Sequence, residues 1–107
     1  MIYKFKSKAA GDLIMTAPVG DQILRLIGKE PAPKGIIEPG AMPAAVAALE
    51  AAIAADEQSR RDAEAEARAE GRTLPPLKGV SLRQRAWPMI EMLKRASAAN
   101  HEVVWGV

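Results

Sequence analysis

A run of twenty residues without a large apolar side chain, 54–73, most limits how this chain can fold. The chain has 107 residues, and 21 of them are alanine, which contributes little buried area. The larger apolar residues lie before and after the run, so the two ends of the chain must build one core together. We therefore predict a single domain over residues 1–107, in which 54–73 is a charged, solvated helix and connector.

Alternating side chains predict a strand over residues 1–6. Its two faces carry Met1, Tyr3 and Phe5 on one side and Ile2, Lys4 and Lys6 on the other. Residues 7–11 are expected to form a short loop in which Gly11 is free to adopt a positive φ. Residues 12–16 then predict a second strand, and together the two strands make an N-terminal hairpin.

The C-terminal segment 101–107 predicts a final strand. Val103, Trp105 and Val107 share one of its faces, which places Trp105 in the core. We expect the first strand to lie centrally, beside this last one, because both ends of the chain then contribute to one core.

Apolar residues at helical spacing predict the first two helices. The first starts at Pro18 and has Asp21 in its first turn. A loop rich in proline and glycine, 28–42, follows and contains a short extended piece at Ile36-Ile37.

The second helix starts at Pro43 and ends at Gly71. Its apolar stripe stops at Ile53, but alanine, glutamate and arginine, which are strong helix formers, continue beyond it. The second half of this helix is therefore expected to be solvated.

A connector over 73–79 precedes the third helix, which begins with a capping box of Ser81 and Gln84. Pro88 lies inside this helix and predicts a kink or a restart, and Asn100 ends the helix in the left-handed region. The fold class is thus α+β. A small antiparallel sheet, made of the N-terminal hairpin and the C-terminal strand, packs with three helices, of which the middle one is long and partly solvated.

Charge is unevenly distributed although the formal net charge is only +2. Residues 1–40 and 73–107 are basic and residues 41–72 are acidic, which suits self-association or an acidic partner. The chain has no cysteine, its first residues lack the apolar core of a signal peptide, and its apolar stretches are too weak to span a bilayer. We expect a cytoplasmic protein without a membrane partner.

Residues suited to catalysis are scarce. His101 is the one histidine, and its neighbour Glu102 would point to the opposite face of a strand, so the two do not share a metal. The carboxylates of 54–73 scatter around a solvated helix, where nothing apolar shifts their pKa values. We therefore predict no catalytic residue, no metal and no cofactor, and favour a protein that is not an enzyme.

Basic residues near both ends support a second hypothesis, a nucleic-acid or phosphate binder. Its candidate phosphate contacts are Lys8, Arg83 and Arg85. Nucleic acid is disfavoured because Tyr3 and Phe5 face away from the lysines of the first strand, whereas RNA-binding sheets expose aromatic and basic residues together.

A third hypothesis is a small-ligand site between the proline-rich loop, Pro31–Pro43, and Trp87. Trp87 precedes the expected helix break and lies off the main apolar stripe. This position favours an interface or ligand role over a place in the core.

The leading hypothesis is a non-catalytic interaction module that forms a homodimer. The outer face of the predicted sheet carries β-branched residues beside lysines, and the predicted helices cover only the other face well. The candidate interface residues are Ile2, Lys4, Lys6, Ile14 and Val104, together with Trp87. The alanines of the long helix offer a second route of contact.

Five segments of the sequence resemble one known family. They are YKFKSKAAGDLIM, GDQILRLIGK, KGIIEPGAMPAAVAALEAAI, LRQRAWPMIEMLKRA and VVWGV. On these segments the chain is similar to the small proteobacterial family filed as domain of unknown function eighteen-forty. The resemblance covers nearly all of the chain except 56–72. It implies a cytoplasmic bacterial origin, and it brings no activity, ligand or catalytic residue.

Overall fold

The computed structural model describes residues 2–76 and 79–107. The predicted orientation of Met1 lies outside the described residues, as do Leu77 and Lys78 of the predicted connector. A single 3₁₀ turn, Pro39–Ala41, precedes the second helix. The other elements in chain order are β1 (Ile2–Ser7), β2 (Ala10–Thr16), α1 (Ala17–Leu26), β3 (Gly35–Ile37), α2 (Met42–Ala69), α3 (Leu82–Ala99) and β4 (Val103–Trp105).

The strands in the described residues form one antiparallel sheet in the order β2-β1-β4-β3. The predicted α+β class, the N-terminal hairpin and the central place of β1 beside the C-terminal strand are confirmed. The extended piece at Ile36-Ile37 is confirmed too, and it joins the sheet as an edge strand, β3. The C-terminal strand is shorter than predicted, because Gly106 has φ 76° and turns the chain away, which leaves Val107 exposed.

The hairpin turn differs from the prediction. Lys8 and Ala9 form the turn and Gly11 lies within β2, so the predicted loop over 7–11 is too long and Gly11 does not use a positive φ. A register shift between Phe5 and Ser7 moves the pairing by one residue, and Ser7 Oγ accepts a hydrogen bond from the Ala9 amide at 3.2 Å. This irregularity, and not Gly11, accommodates the turn of the hairpin.

The core lies on one face of the sheet, the inner face, which carries a row of three aromatic rings. Tyr3 stacks on Phe5 at 5.7 Å between ring centroids, and Phe5 meets Trp105 edge-on at 5.5 Å. Trp105 is 2% exposed, so its predicted place in the core is confirmed. The largest helical residues buried against this row are Ile23, Leu24, Met42, Leu49, Met89, Ile90 and Leu93.

Glycine lets α1 approach this row closely. A Cβ on Gly20 would collide with the Tyr3 ring, so only a residue without a side chain fits there. The sequence predicted Asp21 in the first turn of this helix. The helix begins at Ala17, so Asp21 lies in its second turn and that prediction is wrong. Asp21 Oδ1 instead accepts a hydrogen bond from the Tyr3 hydroxyl.

Helix α3 confirms the local signals at its two ends. Ser81 Oγ accepts from the Gln84 amide at 3.1 Å, the Ser81 amide donates to the Gln84 side chain at 2.9 Å, and Asn100 has φ 57°. The sequence predicted a kink or a restart at Pro88; the restart does not occur, because the helix is continuous through this residue. Pro88 removes one helical hydrogen bond, and the buried residues that follow it hold the helix against the sheet.

Helix α2 is continuous over 28 residues, and Gly71 with φ 72° follows its end, as predicted. We call residues 54–73 the arm. The chain returns along the arm, because Arg60 donates to the Pro75 carbonyl at 2.7 Å and Arg83 at the start of α3 binds Glu57. Ala67 is buried within the arm, although the sequence predicts a fully solvated surface there.

Candidate functional site

The outer face of the sheet brings together five of the predicted interface residues. We define this face by Ile2, Lys4, Lys6, Ile14, Val104 and the additional residue Ile36. Cross-strand pairing sets Lys4 beside Ile14, and it sets Val104 between Lys6 and Ile36. Ile2 is 61% exposed and Ile14 is 58% exposed, because the helices pack on the inner face. The outer face is therefore an open surface of β-branched residues and lysines.

Both lysines of the outer face lie on β1, which is a central strand. Lys4 Nζ is 3.5 Å from Asp12 Oδ2 on β2, and both side chains are about half exposed. Lys6 is directly opposite Val104. The central strand of this face thus carries positive charge, and the exposed isoleucines lie on β2, on β3 and at the start of β1.

Trp87, the sixth predicted interface residue, does not join the outer face. It lies on α3, which packs against the other side of the sheet, and its indole is 46% exposed. Lys94 Nζ lies 6.0 Å from the centre of the indole ring and 3.9 Å from Glu50 of α2. Trp87 therefore borders the contact between α2 and α3 and is separate from the sheet surface.

The three predicted phosphate contacts are not brought together. Lys8 lies in the hairpin turn, whereas Arg83 donates to both carboxylate oxygens of Glu57 at 2.8 Å. Arg85 turns towards α1, where it donates to Gln22 at 3.3 Å. The hydrogen bonds between them lower the pKa of Glu57 and raise the pKa of Arg83, so each residue favours the charged form of the other.

The proline-rich loop does not line the surface depression at Trp87. The Trp87 surface forms an open apolar depression with Arg83, Gln84 and Pro88. The loop lies instead against the core tryptophan, because Trp105 Nε1 donates to the Ala32 carbonyl at 3.0 Å. The small-ligand site that the sequence suggested between the loop and Trp87 stays a prediction.

A family model described as a domain of unknown function, DUF1840, matches residues 1–105. The chain belongs to this family. No curated protein and no solved structure matches the chain. The function of this DUF1840 protein must therefore be argued from its own surface.

Three features of the DUF1840 protein were missed by sequence reasoning. Ile36 extends the outer face through β3, and the signal for it was the isolated Ile36-Ile37 pair after Gly35. The Tyr3–Asp21 hydrogen bond and burial of the ring raise the pKa of the Tyr3 phenol, and residues 18 apart give no local signal for such a pair. The Arg83–Glu57 pair spans 26 residues and gives no local signal either.

Two further observations apply to residues 2–76 and 79–107 of the DUF1840 protein. Within them, no three histidine, aspartate or glutamate side chains group together so as to hold a metal ion. None of the helices found there combines the length and the apolar character that crossing a membrane requires.

Proposed function

We propose that this DUF1840 protein is a non-catalytic interaction module that self-associates, and that its sheet forms the contact between two copies. The observation that carries the proposal is the exposure of Ile2 and Ile14 on the outer face. Exposed β-branched residues on an open sheet face favour burial against a partner, because leaving water lowers the free energy of each apolar side chain.

The charged residues of the arm pair with one another, which supports a structural role for them. Carboxylates of the arm are engaged by neighbours, as in Arg60 to Glu64 at 2.9 Å and Gln58 to Asp62 at 2.8 Å. Both of these pairs are exposed and link residues four apart along α2, where they add to helix stability. They contribute to the order of the arm and give it no group poised for acid or base chemistry.

The distribution of charge along the chain favours a second copy of the same chain as the partner. The basic segments 1–40 and 73–107 and the acidic segment 41–72 are all present in one chain, so two copies related by a two-fold axis can match opposite charges. We further propose that the protein works in the bacterial cytoplasm. The absence of cysteine suits a reducing compartment, and the resemblance to a proteobacterial family points the same way.

The oligomeric state tests this function directly. Sedimentation velocity or multi-angle light scattering, from low micromolar concentration upward, should show a dimer that dissociates on dilution. Ile14→Glu should give a monomer at the same concentrations, because the new carboxylate would have to be desolvated in the contact. The variant should fold, since Ile14 is exposed and lies beside Lys4.

Ala63→Glu is the matched control, because Ala63 is exposed on the arm, far from the sheet in the chain. It should leave the dimer intact. A wild-type protein that stays monomeric on concentration overturns the proposal. A dimer that resists Ile14→Glu and dissociates with Ala63→Glu would move the contact to the long helix.

A further inference from the structure

The two edges of the sheet are protected to very different extents. The β3 edge is only three residues long, Gly35–Ile37, and has Pro33 before it and Pro39 after it. The β2 edge is seven residues long and contains neither proline nor lysine. Natural sheets usually blunt an exposed edge with such residues, because unpaired backbone N–H and C=O groups accept another strand.

We infer that two copies of this chain join antiparallel along β2, so that their sheets form one continuous sheet. This inference rests on the proposed self-association and specifies its geometry. In an antiparallel ladder, alternate residues of a strand direct their N–H and C=O groups to one side. In the described parts of the chain β2 pairs only with β1, so half of its backbone groups face outward and can bond to a second copy.

The position of the lysines favours this edge contact over a face-to-face contact. Lys4 and Lys6 occupy the central strand β1, so packing two outer faces together would desolvate four ammonium groups near one axis. Joining along β2 leaves all of these lysines in water. The lysines therefore disfavour packing through the face of the sheet, whereas the β2 edge carries one charged residue, Asp12, which pairs with Lys4 of its own copy.

The length of β2 specifies a register. If the whole strand Ala10–Thr16 pairs with its copy, Leu13 lies on the two-fold axis and Asp12 lies opposite Ile14 of the second copy. Asp12 is the one charged residue of β2, and this register never places it against its own equivalent. Lys4 of the second copy lies on the far side of that Ile14, so the charges across the junction alternate in sign.

The side chains on both faces complement this register. Ile14 of each copy is brought next to the junction on the outer face, which joins the two exposed patches into one. On the inner face the two Leu13 side chains meet, and each is only partly buried within its own copy. The contact thus combines backbone hydrogen bonds with apolar burial on both sides of the sheet.

Disulfide trapping tests the geometry, because the native chain has no cysteine and single-cysteine variants are unambiguous. Leu13→Cys should form a disulfide-linked dimer on mild oxidation, since paired residues on neighbouring strands lie within disulfide reach. Ile2→Cys is the matched control on β1. The Ile2 positions of the two copies would lie at least three strand spacings apart, more than about 14 Å, and should not crosslink.

Ile2→Glu gives a second discrimination. In the edge contact this residue stays in water, so the variant should remain a dimer in light scattering. If Ile2→Glu gives a monomer, or if Ile2→Cys crosslinks and Leu13→Cys does not, the copies meet face to face. That result overturns the edge inference and leaves the proposed self-association standing, whereas a wild-type monomer at all concentrations removes both.

Amide hydrogen exchange on the wild-type protein avoids any risk that Leu13→Cys disturbs folding. The alternate amides of β2 that do not bond to β1 should exchange at least tenfold more slowly when the protein is concentrated into the dimer. The amides of the β3 edge should not change and serve as the internal control. Equal exchange of the outward β2 amides in monomer and dimer would contradict the edge contact.

Discussion

The packed body of the molecule and its arm are both ordered, but different interactions order them. In the body, Phe5, Leu49 and Leu93 are completely buried and belong to one continuous core. In the arm, residues 54–73 contain no large apolar side chain, and the helix is linked to the returning chain by Arg60 and Glu57. The comparison shows that a long helix can keep a defined place with side-chain hydrogen bonds and the burial of a single alanine, Ala67, in place of a large apolar core.

The two kinds of contact differ in strength. Full burial of a large apolar side chain contributes about 1.5–3 kcal/mol to folding. Exposed ion pairs contribute far less, because water screens them and holding two long side chains in place costs entropy. We therefore expect substitutions in the body to change global stability strongly and substitutions in the arm to change it weakly.

Phe5→Ala should have the largest effect in the body. Phe5 is fully buried between Tyr3 and Trp105, and truncation leaves a cavity that both rings border. The expected loss in the free energy of unfolding is about 3–5 kcal/mol, measured by urea denaturation. A loss below about 1 kcal/mol would show that the aromatic row is not the centre of the core.

Gly20→Ala should be the next most damaging change. The added methyl group would collide with the Tyr3 ring, so α1 must move away from the sheet. We expect a loss of about 1–3 kcal/mol in the same experiment. Gly11→Ala is the matched control, because a methyl group there meets no atom and Gly11 has no positive φ.

Tyr3→Phe should cost about 1 kcal/mol at neutral pH, because it removes the hydrogen bond to Asp21. That hydrogen bond, and burial of the ring, raise the pKa of Tyr3 above its ordinary value near 10. The neutral phenol is therefore favoured in the folded state, and its contribution is full below pH 10 and lost as the pH rises through the raised pKa.

The difference in stability between wild type and Tyr3→Phe should accordingly shrink above pH 10, as measured by chemical denaturation at several pH values. Asp21→Asn keeps an acceptor oxygen for the Tyr3 hydroxyl but removes the charge. In that background, Tyr3→Phe should still lower the free energy of unfolding at neutral pH, but by less than it does in wild type. A wild-type advantage that grows with alkaline pH would contradict the assigned role of Asp21.

Local sequence signals predicted the elements of this fold that depend on neighbouring residues. The alternation around Tyr3, the capping box of Ser81 and the left-handed Asn100 all rest on contacts within a few residues. The outer face was predicted from strand periodicity together with the expected hairpin register, which place Ile2 and Ile14 on the same side of the sheet.

Contacts between distant segments could not be predicted in this way. The place of β3 depends on pairing Ile36 with Val104, and the arm depends on Arg83 meeting Glu57. From the sequence alone, each of these side chains could equally have stayed in water. Only the packed positions of the strands and helices decide the outcome. The separation of Trp87 from the outer face has the same cause, because helical spacing does not state on which side of the sheet a helix packs.

Glu57→Gln should have the smallest effect of the four. It weakens the paired hydrogen bonds from Arg83, which link the start of α3 to the arm across an exposed surface. We expect a smaller loss of stability than for Tyr3→Phe, and we expect that loss to disappear at high salt because exposed charges are screened. Glu64→Gln is the matched control, since Glu64 pairs with Arg60 within the same helix and links no second segment.

The pH dependence of this last effect has the opposite sign to that of Tyr3. Arg83 lowers the pKa of Glu57, so the ion pair contributes above the ordinary glutamate value and is lost as the pH falls through the lowered pKa. Wild type and Glu57→Gln should therefore converge in stability in acid, while local amide exchange at the start of α3 is faster in the variant at neutral pH. A global loss as large as that of Phe5→Ala would mean that the arm is coupled to the core, and the distinction between the two regions would then be wrong.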